Sequence, residues 1–343
     1  MVLDPADDEW VYDEWAHLHE NAADVHVDAS AVPSVRRIGT RLVDGRTVSG
    51  LRWGDTDPQL VVVHGSAQNA HTWDSTLIRL GRPALAVDLP GHGHSSWRDD
   101  RTYHPTELAR DLAAFVEEHA ATAALICGMS LGGMTVLQLA RQRPDLVRRF
   151  VMVDITPGVT RDKAKEIHDF IAGPQSFPAF SDIFDRTVEH NPTRSEASLR
   201  RGIVHNARKL DDGSWEWRYD RRGPADGTPA VEPKMADAAR AGMWDDLAAT
   251  TQPLLLVRGD RSPVVDDDDV AELRRRRPDA RVVVVADAGH SVQGDQPVEL
   301  AQLLEAELSP GCCRRRARRG SWLRSRPGGR RHRRRAAHPT PSR

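Results

Sequence analysis

The chain has 343 residues, of which 39% are hydrophobic, 5% aromatic and 29% charged, and this composition excludes collagen, a coiled coil or complete disorder. Its three cysteines, Cys127, Cys312 and Cys313, provide neither a disulfide framework nor a zinc site with CxxC spacing. No apolar run approaches the roughly 20 residues that cross a bilayer, and the acidic start lacks the features of a signal peptide, so we expect a soluble, cytoplasmic protein.

The formal net charge of −2 conceals an uneven distribution of charge along the chain. Residues 310–343 contain thirteen arginines and no acidic residue, so this tail carries +13 and residues 1–309 carry −15. Nucleic acids and anionic membranes bind basic surfaces, so we expect the acidic body to bind neither. The arginine-rich tail has no apolar periodicity and is predicted to be disordered.

Apolar runs alternate with segments of helical periodicity, as is typical of an α/β domain with a mostly parallel sheet. Eight strands are predicted, at residues 34–42, 47–53, 59–64, 84–88, 123–127, 147–154, 253–258 and 281–286. Helices are predicted at residues 70–80, 106–119, 131–142, 270–277 and 297–308. Several strands are apolar on both faces, which indicates that helices cover both sides of the sheet. We expect the edge strands to lie near the N-terminus.

The alternation stops at residues 157–249, where roughly 90 residues separate the sixth and seventh predicted strands. A structureless connection of this length is uncommon in a compact domain, so we predict a mainly helical cap inserted after the sixth strand. Its aromatic side chains either cover a pocket or form a small core of the insertion, and they include Phe170, Phe177, Phe180, Phe184 and Trp244.

The chain therefore divides into four predicted parts. Residues 1–33 form an acidic N-terminal arm, which either packs on the body as a helix or becomes ordered on demand. Residues 34–156 and 250–309 form the α/β core, residues 157–249 the cap or lid, and residues 310–343 the disordered tail.

The most specific motif is Gly128-Met129-Ser130-Leu131-Gly132, which lies between a predicted strand and a predicted helix. In this context GxSxG indicates a nucleophile elbow, a turn so tight that small residues must flank the serine whose hydroxyl it presents. Ser130 would then lie at a helix N-terminus, where backbone donors stabilise developing negative charge. Cys127, just before this turn, is predicted to be a small core residue.

Three further motifs have the order and spacing of the α/β-hydrolase fold family, which residues 34–308 resemble. His64-Gly65-Ser66 follows a strand, residues 88–95 read DLPGHGHS, and Gly289-His290 follows the last strand. The resemblance is to the serine-nucleophile branch with a cap domain, similar to bacterial esterases, and it implies that His290 is the catalytic histidine. We expect His92 and His94 in the DLPGHGHS segment to be structural or to line a pocket, not to bind a metal.

A catalytic histidine needs an acidic partner that fixes its tautomer and stabilises the imidazolium. The family most often places this acid in a GxxD arrangement after the penultimate strand, but here Ser262 occupies that position after Gly259. Asp154, at the end of the sixth strand, is the preferred candidate and resembles the acid of a subgroup of bacterial serine esterases. Asp260 is the alternative, although it stands two positions early in the loop.

The oxyanion donors are backbone groups, so side-chain identity constrains them weakly. By position, the resemblance implies the N–H of Leu131, directly after the nucleophile, and the N–H of Ser66, directly after the HG pair. Ala67 is an alternative to Ser66.

These residues predict an acyl-transfer mechanism with a Ser130, His290 and Asp154 triad, and without a metal or other cofactor. The first hypothesis is a serine hydrolase that cleaves small to medium carboxylic esters. Lactone, thioester or carbon–carbon bond hydrolysis and cofactor-free haloperoxidase-like peracid formation use the same machinery. A hypothesis of another class is a hydrolase-fold protein that binds a small ligand without turnover. The sequence does not indicate an oligomeric state.

Overall fold

The computed structural model describes Pro5 and residues 10–191, 194–221 and 233–309, with side chains omitted for residues 233–240. The arginine-rich tail, predicted to be disordered, lies outside the described residues. No helix among the described residues is long and apolar enough to span a membrane.

The core contains an eight-stranded sheet, as predicted. The structure gives its strand order as β1-β2-β4-β3-β5-β6-β10-β11. The strands are β1 Val35–Arg41, β2 Thr47–Trp53, β3 Leu60–Val63, β4 Ala84–Asp88, β5 Leu125–Met129, β6 Phe150–Val153, β10 Leu254–Gly259 and β11 Arg281–Val285. The first two junctions, β1 with β2 and β2 with β4, are antiparallel, and all the others are parallel. Only one edge strand, β1, comes from the N-terminal part, because β11 adds to β10 at the opposite edge.

Helices cover both faces of this sheet. They are α1 Leu18–Asp24, α2 Asp74–Leu80, α3 Pro105–Ala120, α4 Leu131–Gln142, α9 Asp267–Arg276, α10 Val292–Asp295 and α11 Pro297–Leu308. Successive side chains of a strand point to opposite faces, and accordingly Val61 and Val63 of β3 belong to one buried cluster while Leu60 and Val62 belong to another. Cys127 is fully buried in the second cluster.

Two predicted helix boundaries are displaced by local capping. The helix predicted at 70–80 is a 3₁₀ turn, Ala70–Trp73, followed by α2. Helix α9 begins at Asp267, three residues before the predicted start, because the Asp266 side chain accepts a hydrogen bond from the N–H of Asp269 and caps the first turn. Acidic side chains in that turn also interact favourably with the helix dipole.

The segment between β6 and β10 contains helices and a small sheet. Its helices are α5 Lys165–Ile171, α6 Phe180–Glu189, α7 Glu196–Asn206 and α8 Pro233–Ala249. The expectation of a mainly helical insertion did not include an antiparallel sheet of β7 Ser176–Phe177, β9 Trp215–Trp217 and β8 Ala207–Lys209. These strands have only two or three residues, too few to produce a recognisable alternation in the sequence.

Most aromatic side chains of this segment form a third buried cluster. Phe177 and Phe180 are buried in it, and Phe170 and Phe184 pack against it, whereas Trp244 joins the core cluster under α4. The cluster also includes Trp10, whose ring centroid lies 5.1 Å from that of Trp215. The described part of the N-terminal arm therefore packs on the body, through Trp10 and through α1.

Close packing of α4 on β3 generates a prediction. A Cβ atom at Gly132 would lie 2.5 Å from the carbonyl oxygen of His64, a contact that only backbone movement relieves. We expect Gly132→Ala to lower the free energy of unfolding by about 3 kcal/mol in chemical denaturation. At Gly242 in α8 a Cβ would meet nothing within 4 Å, so the matched Gly242→Ala should raise stability by up to about 1 kcal/mol. Equal effects of the two substitutions would contradict this packing.

Candidate active site

The tight turn predicted around Ser130 joins β5 to α4. Between Met129, the last residue of β5, and Leu131, the first of α4, Ser130 has φ +51° and ψ −120°. A non-glycine residue in this region carries strain on the order of 1–3 kcal/mol, which the surrounding structure must offset. The Ser130 side chain does not cap α4, and it lines a cavity above the sheet. This strained turn between a strand and a helix has the backbone geometry predicted for the GxSxG motif.

Asp154 follows β6 directly, is fully buried, and contacts the imidazole of His290. Its Oδ2 lies 2.8 Å from Nδ1 of His290. The same oxygen accepts a hydrogen bond from the Ser262 hydroxyl, and Oδ1 accepts one from the N–H of Gly259 at 3.0 Å. A carboxylate oxygen accepts hydrogen bonds, so Nδ1 of His290 is the donor in this contact, and Nε2 takes no part in it.

Asp260, the alternative acid, occupies a different environment. Its Oδ1 accepts a hydrogen bond of 3.3 Å from the N–H of Ala288, and no hydrogen bond between Asp260 and His290 occurs among the described residues. Ser262, which stands where the family most often has its acid, donates to Asp154. The structure thus brings Asp154, Ser262 and His290 together and leaves Asp260 at the base of the loop.

Backbone contacts bring Ser130 close to this pair. The N–H of Ser130 donates to the carbonyl oxygen of Val153, the residue before Asp154, at 3.2 Å. Ser130 and His290 line the same cavity. Nε2 of His290 is buried and has no hydrogen-bond partner among the described residues. This nitrogen is therefore available to a hydroxyl group in the cavity.

The loop after β3 approaches the turn at Ser130 closely. A Cβ atom at Gly65 would lie 3.1 Å from Cβ of Ser130. The next two residues, Ser66 and Ala67, line the cavity, and Ala67 has a positive φ of +58°. Gly65 and the N-terminus of α4 thus both lie beside Ser130.

Two histidines with structural contacts hold the loops at this edge of the sheet. His64 accepts a hydrogen bond from the N–H of Leu89 at Nε2, at 3.0 Å, and donates from Nδ1 to the Gly65 carbonyl at 2.7 Å. Burial lowers the pKa of His64, in keeping with a neutral ring. Burial also lowers the pKa of His92 to about 3, and its Nδ1 lies 3.2 Å from the Pro90 carbonyl.

The cavity above the sheet has a volume of about 410 Å³ and is lined by both the core and the insertion. Core loops contribute Ser66, Ser130 and His290, and helices α5 to α7 contribute Phe170 and Leu199, among others. Sequence motifs did not identify several charged and polar residues of its wall, namely Lys163, Arg194 and Arg201 and the histidines His71 and His205. Of these five residues, only His71 had a recognisable pattern in the sequence: Asp74 follows it by three residues, a spacing at which side chains on a helix can interact.

His71 connects the N-terminal arm, the core and the insertion. Its Nδ1 lies 2.9 Å from Oδ2 of Asp74, its Nε2 lies 3.2 Å from Oε1 of Glu14, and its ring stacks on His205 with centroids 3.8 Å apart. Burial alone would lower the pKa of His71, but the two carboxylates raise it to about 9. His205 is held neutral because burial, and then the neighbouring His71 charge, lower its pKa.

Among the described residues, His71, Asp74 and His205 form one group whose potential metal-ligand atoms lie within 4.8 Å of one another. Both ring nitrogens of His71 already face carboxylates. The rings of His71 and His205 are nearly parallel, with an interplanar angle of 11°. Their nitrogen lone pairs therefore lie in separate planes and do not point toward one common metal position. The arrangement fits a protonated histidine between two acids.

The chain belongs to the α/β-hydrolase fold family, whose model matches residues 58–297. It is 44% identical over 303 residues to esterase Rv0045c of Mycobacterium tuberculosis, a match that covers 86% of this chain and 96% of that protein. A solved structure of the same esterase has a TM-score of 0.75 at 42% identity and covers 87% of this chain and 99% of its own.

A second relative is 2-(acetamidomethylene)succinate hydrolase of Mesorhizobium japonicum, 29% identical over 276 residues, which cover 78% of this chain and 94% of that protein. A crystal structure of E-2-(acetamidomethylene)succinate hydrolase has a TM-score of 0.69 at 25% identity and covers 80% of this chain and all of that one. The predicted family and fold are thereby confirmed.

The contacts of His71 generate a prediction about pH. Its folded pKa of about 9 exceeds the unfolded value of 6.5, so its contribution to stability is complete below pH 6.5 and is lost as the pH rises through 9. We expect the stability of the wild type relative to His71→Gln to fall across this interval, by about 3 kcal/mol, in urea unfolding at several pH values.

His94→Gln is the matched control. Burial lowers the pKa of His94 to about 4, so its effect on stability changes only below pH 6.5. A wild-type advantage over His71→Gln that stays constant or grows between pH 6.5 and 9 would show that His71 is not held in its charged form.

Proposed function

We propose that this protein is a serine hydrolase that cleaves small to medium carboxylic esters through an acyl-enzyme intermediate. The observation that carries the proposal is the buried Asp154–His290 pair, 2.8 Å between Oδ2 and Nδ1, beside a strained turn that presents Ser130. Family membership and the 44% identity to an esterase support the same activity. The cavity of about 410 Å³ is within the range of small-molecule sites.

In this mechanism Ser130 Oγ attacks the ester carbonyl carbon while Nε2 of His290 accepts the hydroxyl proton. The tetrahedral intermediate places negative charge on the former carbonyl oxygen. When the intermediate collapses, the bond to the alcohol oxygen breaks, and His290 returns the proton to the leaving alkoxide. Water then attacks the acyl-enzyme with His290 again as the base, and the carboxylic acid and free Ser130 result.

Asp154 is proposed as the acid of this triad. Its contact with Nδ1 fixes the tautomer that leaves Nε2 free, and its charge stabilises the imidazolium that forms in each step. Hydrogen bonds from Ser262 and Gly259 hold the carboxylate in this orientation. Asp260, which contacts Ala288 instead, is not assigned this role.

Backbone N–H groups of Leu131 and Ser66 are proposed as the oxyanion donors. Leu131 begins α4, so its N–H is one of the donors that the helix leaves unpaired. The close approach of Gly65 to Ser130, and the position of Ser66 in the cavity wall, support the choice of Ser66. Each such donor stabilises the transition state by about 3 kcal/mol.

Residues 157–249 are proposed as the cap of this active site. Phe170 of α5, Thr187 of α6 and Leu199 of α7 line the cavity that Ser130 and His290 also line. A cover over the site excludes water and strengthens electrostatic stabilisation beneath it. The cap therefore shapes acyl and alcohol selectivity, while the triad supplies the chemistry.

Covalent labelling tests the nucleophile. We expect a fluorophosphonate probe to label the wild type stoichiometrically and Ser130→Ala not at all, as measured by intact-protein mass spectrometry. Ser66→Ala, which retains the backbone N–H, is the matched control and should still be labelled. A folded wild-type protein that resists the probe would favour a ligand-binding protein without turnover.

A substrate panel tests the class of reaction. Chromogenic esters of increasing acyl length are compared with lactones and thioesters, and we expect the highest kcat/KM for an ester. A higher kcat/KM for a lactone or a thioester would replace ester hydrolysis by the corresponding alternative. These assays identify the class of reaction, and the labelling experiment identifies the nucleophile.

A further inference from the structure

A partly buried arginine, Arg194, lies in the wall of the cavity and has no acidic partner among the described residues. Arg194 precedes α7 and donates from Nη2 to the Ser198 hydroxyl at 2.8 Å. Its Nε is buried and has no hydrogen-bond partner among the described residues. The guanidinium lies against Gly294, where a Cβ atom would be 3.1 Å from Cζ of Arg194. A side chain at position 294 would therefore displace it.

The three other lysine and arginine side chains of the cavity wall have acidic partners. Lys163 lies 2.8 Å from a carboxylate oxygen of both Asp266 and Asp269. Two arginines are also paired, as Arg201 with Glu20 and Asp24 and Arg261 with Asp287. For Arg194, no carboxylate lies within 4.0 Å in the described part of the chain, which sets it apart from the other three.

The protein nevertheless keeps this charge in a desolvated position. A guanidinium remains protonated at any physiological pH, although burial lowers the pKa of Arg194. Charged groups are rarely buried without a partner, because the loss of hydration is costly. Asp295 is the acidic group whose charge acts on Arg194, but its Oδ2 accepts a 2.8 Å hydrogen bond from the N–H of Gly289. A donor remains free at Nε, next to the second proton of Nη2.

The position of Arg194 relative to His290 links this donor to the reacting ester. Gly294, which the guanidinium touches, lies four residues after His290 in the single turn α10. Ser130, His290 and Arg194 all line the same cavity. A ligand with its carbonyl carbon at Ser130 can thus place a second group against Arg194.

We propose that Arg194 binds a carboxylate group of the substrate, so that the preferred substrates are half-esters of dicarboxylic acids. The planar guanidinium carries paired N–H donors that match the two oxygens of a carboxylate. A neutral ester would leave the buried guanidinium unpaired and lose this interaction. The expected substrate preference rests on the proposed ester hydrolysis. Binding of a carboxylate at Arg194 does not depend on it.

Turnover of a matched pair of esters tests the specificity. The 4-nitrophenyl monoester of glutaric acid carries the carboxylate, and 4-nitrophenyl 4-carbamoylbutanoate is its neutral isostere. We expect the wild type to have a kcat/KM about tenfold or more higher for the anionic ester, mainly through a lower KM. Arg194→Gln should abolish this ratio, and Arg194→Lys, which keeps the charge but not the fork, should reduce it.

Lys163→Gln is the matched control, because this cation lines the same cavity but is already neutralised by two carboxylates. It should keep the wild-type ratio. A wild type without a preference for the anionic ester would overturn the proposal. So would an Arg194→Gln variant that loses activity equally on both esters, since that result indicates a structural role.

Calorimetric titration of Ser130→Ala separates this site from the catalytic proposal. We expect glutarate to bind Ser130→Ala about tenfold or more tightly than Ser130→Ala/Arg194→Gln, while glutaramide distinguishes them little. Arg194-dependent binding of glutarate, together with no hydrolysis of any ester by the wild type, would support the anion site and refute the proposed function. Hydrolysis of an ester by the wild type, without Arg194-dependent binding of glutarate, would support the proposed function and refute the anion site.

Discussion

The hydrogen bond between His290 Nδ1 and the buried carboxylate of Asp154 is the interaction on which the site depends. Asp154 is completely buried, and the Ser262 hydroxyl, the Gly259 N–H and the imidazole N–H all donate to its carboxylate. These donors come from β10, the loop after it and the loop after β11. Three adjacent strand ends are thereby fixed around one carboxylate, and the free nitrogen of His290 is oriented by the same contact.

The parallel part of the sheet explains why these groups meet. The strands β3, β5, β6, β10 and β11 are consecutive neighbours, and their carboxyl ends lie along one edge. Each contributes one element there, namely the Gly65 loop, Ser130, Asp154, Ser262 and His290 in that order. The insertion leaves the sheet at the same edge, after β6, so its helices meet the cavity directly. Its contacts with the N-terminal arm, through Trp10 and His71, stabilise that placement.

Local motifs predicted the parts of this arrangement that depend on backbone geometry. The turn around Ser130 has a sequence signature because only small residues fit beside it, and the alternation of strands and helices indicated the sheet. The choice between Asp154 and Asp260 stayed open. It depends on which of the two carboxylates His290 contacts, and His290 lies 136 residues after Asp154 in the sequence. The stacking of His71 on His205 and the burial of Arg194 likewise arise from long-range packing. No spacing rule encodes them.

Substitution of each candidate acid by its amide tests the central interaction most directly, because the amide keeps the size and removes the charge. We predict that Asp154→Asn lowers kcat for ester hydrolysis by about 10⁴-fold, as expected for loss of the correct histidine tautomer, while the fold is retained by circular dichroism. Asp260→Asn should retain kcat within a few-fold. A large loss in Asp260→Asn, or near-normal turnover in Asp154→Asn, would contradict the account.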